Sequence, residues 1–388
     1  LVWYRMLGPL LGGTVFTFGL ILAVALAGIG IGSALYAVFF AGRRARLAAF
    51  ALTCGLEGAC IALPFALGDR IAVWTVLLRP LGALGFHGLV FSWLVIALIV
   101  VFPAALVSGV QFPMLIALLG RGRTRVALDI GSAYAANTLG AIAGALAGGF
   151  GAMPAIGALG CWRMVGGLLA GWGAAVALYS VVRCGARWRS AGAFAFSAAT
   201  LAMLMTEGPT AAWRHSPIGA GRVAPESLND ANAIESFLVE RRRGIEWEPD
   251  GIESTVALNH SDGIGFLVNG KSDGNARIDA ATQVMGGLLG AALVPRVRNA
   301  LVIGLGTGST AGWLGQLPEI EQVHVAEIEP AILTVAARCA PVNERALENP
   351  KLGVFRGDAR ELLAVSSERY DLIISEPSNP YRSGVASL

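Results

Sequence analysis

The stretch Ala300-Leu301-Val302-Ile303-Gly304-Leu305-Gly306-Thr307-Gly308-Ser309-Thr310 decides the fold of the second half of this chain. Four apolar residues in a row form a strand of the kind buried on both faces in a parallel sheet. Three alternate glycines follow, and then a helical pattern. Such glycines allow a tight turn and let a ligand approach the backbone at the start of a helix. A second strand, 322–328, ends in Ala326-Glu327-Ile328-Glu329-Pro330, and Glu327 lies 21 residues after Gly306. That spacing suits a carboxylate at the end of strand two that grips ribose hydroxyls. A third strand, 352–355, runs into Gly357-Asp358-Ala359. A fourth, 370–375, runs into Glu376-Pro377-Ser378-Asn379-Pro380. In open α/β sheets ligands bind at the carboxyl edge, where these four ends fall together. The pattern points to an adenosyl sulfonium of the S-adenosylmethionine type. The loop does not complete G-x-G-x-x-G, and no hydride-transfer residue is evident, which argues against NAD.

Upstream, the pattern changes. Alternation over 244–268 reads as a small β-meander with strands near 244–248, 253–259 and 264–268. Its turns fall at Pro249-Asp250-Gly251 and Ser261-Asp262-Gly263. Residues 279–293 read as a helix, and 207–235, rich in Gly, Pro, Ser and Asn, as a linker. The expected organisation is a helical membrane domain over 1–206, the linker 207–235, meander plus helix over 236–298, and a Rossmann-like domain over 299–388.

The first 206 residues obey another rule. They hold thirteen Arg, no Lys and three acids, Glu57, Asp69 and Asp129, although the whole chain of 388 residues carries only +3. With 55% hydrophobic and 14% charged residues and a mean hydropathy of +0.63, a uniformly soluble globular protein and a disordered chain are both excluded. A spanning helix needs about 20 apolar residues. Candidate spans are 14–40, 47–67, 87–118, 131–155 and 159–182. Residues 191–205 are short for a span, 1–12 resemble the tail of a helix, and 71–85, interrupted by Arg79 and Pro80, reads as interfacial or re-entrant. Pro103 and Pro113 predict a kink in 87–118.

Arginine clusters at 43–46, 121–125 and 183–189 fall on one side of this arrangement, which marks it as cytoplasmic. If 191–205 does not cross fully, the C-terminal half lies on that side too. Basic charge between apolar spans suits anionic lipid rather than nucleic acid. Small residues in Gly28-Ile-Gly-Ile-Gly-Ser33 and in 137–149 let helices approach closely in lipid. Glu57 sits mid-span, either as a functional carboxylate or as a protonated or paired group inside the bundle. The five cysteines show no metal spacing and read as packing residues. The chain opens on Leu1 rather than Met and closes on GVASL in mid-pattern. Both features suggest a piece of a longer sequence.

The motifs GLGTGS, VAEIEP, GDAR and YDLIISEPSNP resemble the polyamine aminopropyltransferase (spermidine synthase) family. The apolar front half, LVNGKSDG, DAATQ and SEPSNPYRSGVASL resemble its membrane-fused branch, the fused MFS/spermidine synthase proteins. The resemblance implies a Rossmann-like fold of the methyltransferase type and no permanently bound cofactor. Decarboxylated S-adenosylmethionine would be the co-substrate, and an aminopropyl group would pass to a small-molecule amine. It implies that Gly304, Gly306 and Gly308 line the nucleoside loop, Glu327 binds ribose, and Asp358 and Ala359 meet adenine. Glu376 takes the place of the catalytic Asp in the family's D-x-x-D-P motif.

The acceptor side departs from the family. Asn379 replaces the second Asp of that motif. The D-E-x-x-Y-H-E stretch reads Asp279-Ala-Ala-Thr-Gln283-Val-Met285, and Asn269 replaces the Asp of L-D-G-x-x-Q. Asp273 is a candidate replacement carboxylate, and Gln283 and Asn379 candidate substrate contacts. Two other functions stay open: an S-adenosylmethionine-dependent, methyltransferase-like enzyme on an unknown acceptor, and a non-catalytic membrane transporter or sensor binding a nucleoside or polyamine. Expected partners are the bilayer and a small acceptor, without nucleic acid; homo-oligomerisation is left open.

Overall fold

The computed structural model describes residues 1–40, 42–120, 126–216, 228, 230–260 and 264–375. The arginine cluster 121–125, the turn 261–263, most of 217–229, and Glu376 and Asn379 lie outside the described residues. The chain divides into two compact units, one starting at Leu1 and running to Arg214, the other carried by the residues from Ser236 onward.

The first unit is helical: α1 (Val2–Leu11), α2 (Val15–Phe39), α3 (Leu47–Leu67), α4 (Arg70–Leu77), α5 (Phe86–Val100), α6 (Phe102–Leu119), α7 (Val126–Leu146), α8 (Met153–Cys184), α9 (Arg187–Leu204) and α10 (Ala211–Arg214). Among the described residues, four stretches are long and apolar enough to cross a membrane: Val15–Phe39, Leu47–Leu67, Phe102–Leu119 and Ala127–Cys184. The single helix expected over 87–118 is instead two, α5 and α6, which meet at Val101. Pro103, in the first turn of α6, has no N–H for the carbonyl of Ile99. Pro113 stays inside α6. Between α7 and α8 the chain passes through a six-residue π-helical segment, Ala147–Ala152, and breaks at Gly157 (φ 70°, ψ 172°). The short run expected at 191–205 belongs to the eighteen-residue α9. Residues 71–85 form α4 and a 3-10 turn, Arg79–Leu84.

Helix α3 packs against α6, α8 and α9, and α2 packs against α6. Small residues make these contacts close. A Cβ on Gly32 would lie 2.1 Å from the Leu106 carbonyl oxygen, and one on Gly109 would lie 2.3 Å from that of Ile29. The 28–33 motif is therefore a helix contact between α2 and α6. In the 137–149 motif, a Cβ on Gly140 or Gly144 meets nothing. Two buried indoles are matched: Trp162 Nε1 donates to the Ile61 carbonyl (2.9 Å) and Trp213 Nε1 to that of Met6 (2.6 Å). Asp69 accepts from the backbone N–H of Thr210 at 2.8 Å.

Helix α11 (Ala231–Gly244) enters the second unit at Ser236, and that unit holds β1 (Ile245–Trp247), β2 (Val256–Asn259), β3 (Gly265–Val268), β4 (Lys271–Asn275), α12 (Ala280–Leu293), β5 (Asn299–Ile303), α13 (Ser309–Gly315), β6 (Gln322–Glu327), α14 (Ala331–Arg338), β7 (Leu352–Arg356), α15 (Ala359–Val365) and β8 (Leu372–Ser375). Strands β1 to β4 form an antiparallel sheet in chain order. The sequence reading left out β4 and α11. Strands β3 and β4 turn through Asn269-Gly270, both at positive φ (50° and 78°), as a two-residue hairpin of type I′ demands. The other sheet is parallel, in the order β7-β6-β5-β8. Val256, Leu258, Phe266 and Val268 of the meander share one apolar core with Ala300, Val302, Val323 and Val325 of the parallel sheet.

Candidate nucleoside site

Because β5, β6, β7 and β8 are parallel, their carboxyl ends share one edge. The glycine loop leaves β5 there. Gly304, Gly306 and Gly308 have φ of 92°, 53° and 79°, values that side chains with a Cβ rarely adopt. The loop is braced from three sides. From β6, Glu327 Oε2 accepts from Leu305 N (2.9 Å) while its Oε1 accepts from Glu329 N (2.9 Å). From α12, the side chain of Gln283 accepts from Thr307 Oγ1, and its carbonyl accepts from Thr310 Oγ1 (2.9 Å). From the segment after α14, the fully buried Asn343 donates through Nδ2 to the carbonyls of Thr307 and Ala336, each at 2.8 Å.

Glu327 is 6% exposed. Burial raises its pKa above the usual carboxylate range, against the pull of the two backbone N–H bonds. Each carboxylate oxygen keeps a second lone pair, so a ligand hydroxyl can still donate to it. Glu329, equally buried, was not singled out from sequence. Its Oε2 accepts from Glu253 N (3.0 Å) and Ser254 N (3.1 Å), which ties the meander to the start of α14. A Cβ on Gly251 would fall 2.0 Å from its Oε1, so that glycine makes room for it.

One strand further along, Glu327 pairs in register with Arg356, and Gly357 N donates to the Glu327 carbonyl (2.9 Å). Asp358 caps α15 by accepting from Arg360 N (2.8 Å) and also pairs with the Arg360 guanidinium (2.6 Å). These contacts hold its carboxyl below the usual range. Ala359 opens α15. The structure thus joins the glycine loop, Glu327 and Gln283 by direct hydrogen bonds and sets Asp358 and Ala359 at the neighbouring strand end. Asp273 lies half-buried on β4, next to Gly274, whose Cβ position is 3.1 Å from Gln283 Nε2. Asp279 accepts from Asn275 N (2.8 Å), and Asn269 Oδ1 accepts from Thr255 N (3.0 Å). Among the described residues no group of three or more His, Cys, Asp or Glu could hold a metal ion. A signal for the missed strand β4 was present: Asn269-Gly270 is a hairpin dipeptide.

A parallel sheet ordered 3-2-1-4, with a glycine loop after strand one and a carboxylate after strand two, defines an open α/β fold of the Rossmann type. Part of the chain is homologous to polyamine aminopropyltransferases. That of Alkaliphilus oremlandii is 29% identical over 90 residues, 23% of this chain and 32% of the relative. That of Alkaliphilus metalliredigens is 32% identical over 93 residues, 24% and 33% of the two chains. The match spans about a third of the length of these curated relatives. No protein-family model matches the chain. Among solved structures, spermidine synthase from Thermotoga maritima is similar with a TM-score of 0.32 and 16% identity, over 34% of this chain and 48% of that one. A spermidine synthase in complex with the transition-state analogue AdoDATO gives 0.33 and 16%, over 36% and 50%.

Proposed function

We propose that the chain is a membrane-bound transferase of the aminopropyltransferase type, with its second unit on the cytoplasmic side. Its co-substrate is decarboxylated S-adenosylmethionine and its acceptor a small amine. The observation that carries this reading is the braced glycine loop, with the buried Glu327 held against it, in a chain homologous to aminopropyltransferases. In the reaction, the amine nitrogen attacks the carbon beside the sulfonium. The carbon–sulfur bond breaks, and its electron pair leaves with methylthioadenosine. A carboxylate, assigned to Glu376, takes the ammonium proton. Glu327 and the loop fix the nucleoside so that the displacement runs in line, and Asp358 and Ala359 border the adenine.

The acceptor side supports a second reading. Gln283 spends its side chain on Thr307, and Asp279 spends its carboxylate on Asn275 N. Gln283 is moreover uncharged, so of the two only Asp279 could help replace the hydration of a dication. This favours an acceptor other than a diamine, including a methyl acceptor for S-adenosylmethionine itself. The test is calorimetry on the detergent-purified full chain with both donors and methylthioadenosine, followed by transfer assays on putrescine. Aminopropyl transfer abolished by Glu376→Gln supports the first reading. Tight binding of S-adenosylmethionine alone supports the second, and binding of no donor defeats both.

A further inference from the structure

The helical unit carries one carboxylate at mid-span that the transferase chemistry does not use. Glu57 is the eleventh of the 21 residues of α3, so about 15 Å of helix lies on either side of it. The glycine face of α3, Gly55 and Gly58, is spent on α9. Glu57 turns instead toward α6, facing Ser108 and Gln111, one turn on from Cys54, which shares a core cluster with Met114 of α6. Ser108 and Gln111 belong to the middle of that helix. The Gln111 Nε2 is enclosed and has no hydrogen-bond partner.

At the same level the backbone of α6 is irregular. Pro113 has no N–H for the Gly109 carbonyl, and Ser33 of α2 donates to that carbonyl instead (2.9 Å). Three helices thus turn polar groups to one depth. Among the described residues Glu57 forms no ion pair. In the same unit Arg163 is committed to the carbonyls of Leu204, Thr206 and Glu207. The titratable neighbours of Glu57 are the thiols of Cys54 and Cys60 on its own helix. A carboxylate at the centre of a bundle is costly and needs no packing reason, since an alanine there would be cheaper.

We propose that Glu57, Ser108 and Gln111 form a binding site for a small monovalent cation, sodium or a primary ammonium. One negative charge balances one positive charge, whereas a divalent ion would leave an excess in a medium of low dielectric. The Ser108 hydroxyl supplies a neutral oxygen. The Gln111 amide supplies another when it rotates its oxygen inward. These three acceptors match the three N–H donors of an ammonium group. The proposal rests on the bilayer placement of the helical unit and not on the transferase reading.

The test follows dicyclohexylcarbodiimide labelling of Glu57 by peptide mass spectrometry, in the full chain reconstituted in liposomes. Sodium chloride, methylammonium chloride and choline chloride are compared at equal ionic strength and pH. Sodium or methylammonium should slow labelling about tenfold once the site is about nine-tenths filled, while choline should not. The cation that protects identifies the ligand. Ser108→Ala, which keeps the labelled carboxyl, should raise the protecting concentration. Equal rates in all three salts would overturn the proposal and leave Glu57 a protonated structural group. Release of the chain from membranes by alkaline carbonate would defeat the bilayer placement independently of the labelling result.

Discussion

Glu327 does two jobs that pull its proton in opposite directions. Burial favours the neutral acid, whereas the N–H groups of Leu305 and Glu329 favour the carboxylate. Its pKa in the folded chain is raised above the ordinary 4.5. The folded state therefore holds this proton more tightly than the unfolded state. The stability it contributes is complete below that ordinary value and is lost as pH rises through the raised one. The melting temperature of Glu327→Gln should accordingly gain on that of the unmodified chain as pH rises above 4.5. The same variant should bind the nucleoside co-substrate about tenfold more weakly or worse, the worth of one charged hydrogen bond. A difference in melting temperature that grows in the opposite direction would show that the hydrogen bonds outweigh the burial. Gly312→Ala is a steric counterpart. Its Cβ would fall 1.9 Å from the backbone oxygen of Asn343, so a loss of about 1–3 kcal/mol is expected in denaturant titration. The glycines and Glu327 were legible in the sequence because their spacing is local to a strand and its turn. Asn343 and Glu329 were not, because their partners are distant in sequence: Asn343 reaches back to Thr307, and Glu329 to Glu253 and Ser254.

At the scale of elements, the α2–α6 pair shows how a proline inside an apolar helix is made tolerable. The carbonyl of Gly109, deprived of its partner at Pro113, is satisfied by Ser33 from the neighbouring helix. Ser33→Ala alone should cost about 0.6–1.7 kcal/mol, the range of hydrogen bonds between membrane helices. In a Pro113→Ala background the restored N–H can take that carbonyl, so Ser33→Ala should then cost close to nothing. Unfolding of the four proteins in mixed micelles measures this coupling, and additive losses would refute it. Hydropathy located the long apolar stretches because it integrates over many residues. It could not distinguish a kinked 87–118 from α5 and α6, since the same proline serves either outcome. Helix α11 escaped across the boundary between 207–235, read as linker, and 236–298, read as meander plus helix. Its signals were short-range: Asp230 Oδ1 accepts from Ala233 N at 2.8 Å, and Arg241, Arg242 and Arg243 fill the last turn.

For the molecule as a whole, the feature with most consequence is that the meander and the parallel sheet do not have separate cores. Phe266 of β3 is 4% exposed and belongs to the same cluster as Val302 of β5. The Cβ position of Gly306 lies 3.8 Å from its ring. Glu329 adds polar links, accepting from the loop that precedes β2. The glycine loop therefore depends on residues far upstream of the 299–388 segment that carries its motifs. A chain starting at residue 299 would expose the apolar face that Val256, Leu258, Phe266 and Val268 now cover, and would leave Glu329 a buried acceptor without its donors. It should show no cooperative unfolding transition and rapid proteolysis, whereas a chain starting at residue 231 should unfold cooperatively. Phe266→Ala in the full chain gives the graded form of the same dependence. The loss of a buried aromatic ring should lower stability by about 3–5 kcal/mol and loosen the loop above it, which weakens nucleoside binding in calorimetry. Cooperative melting of the 299 chain with unchanged nucleoside affinity would show instead that the parallel sheet organises its glycine loop alone, and that the meander only covers it.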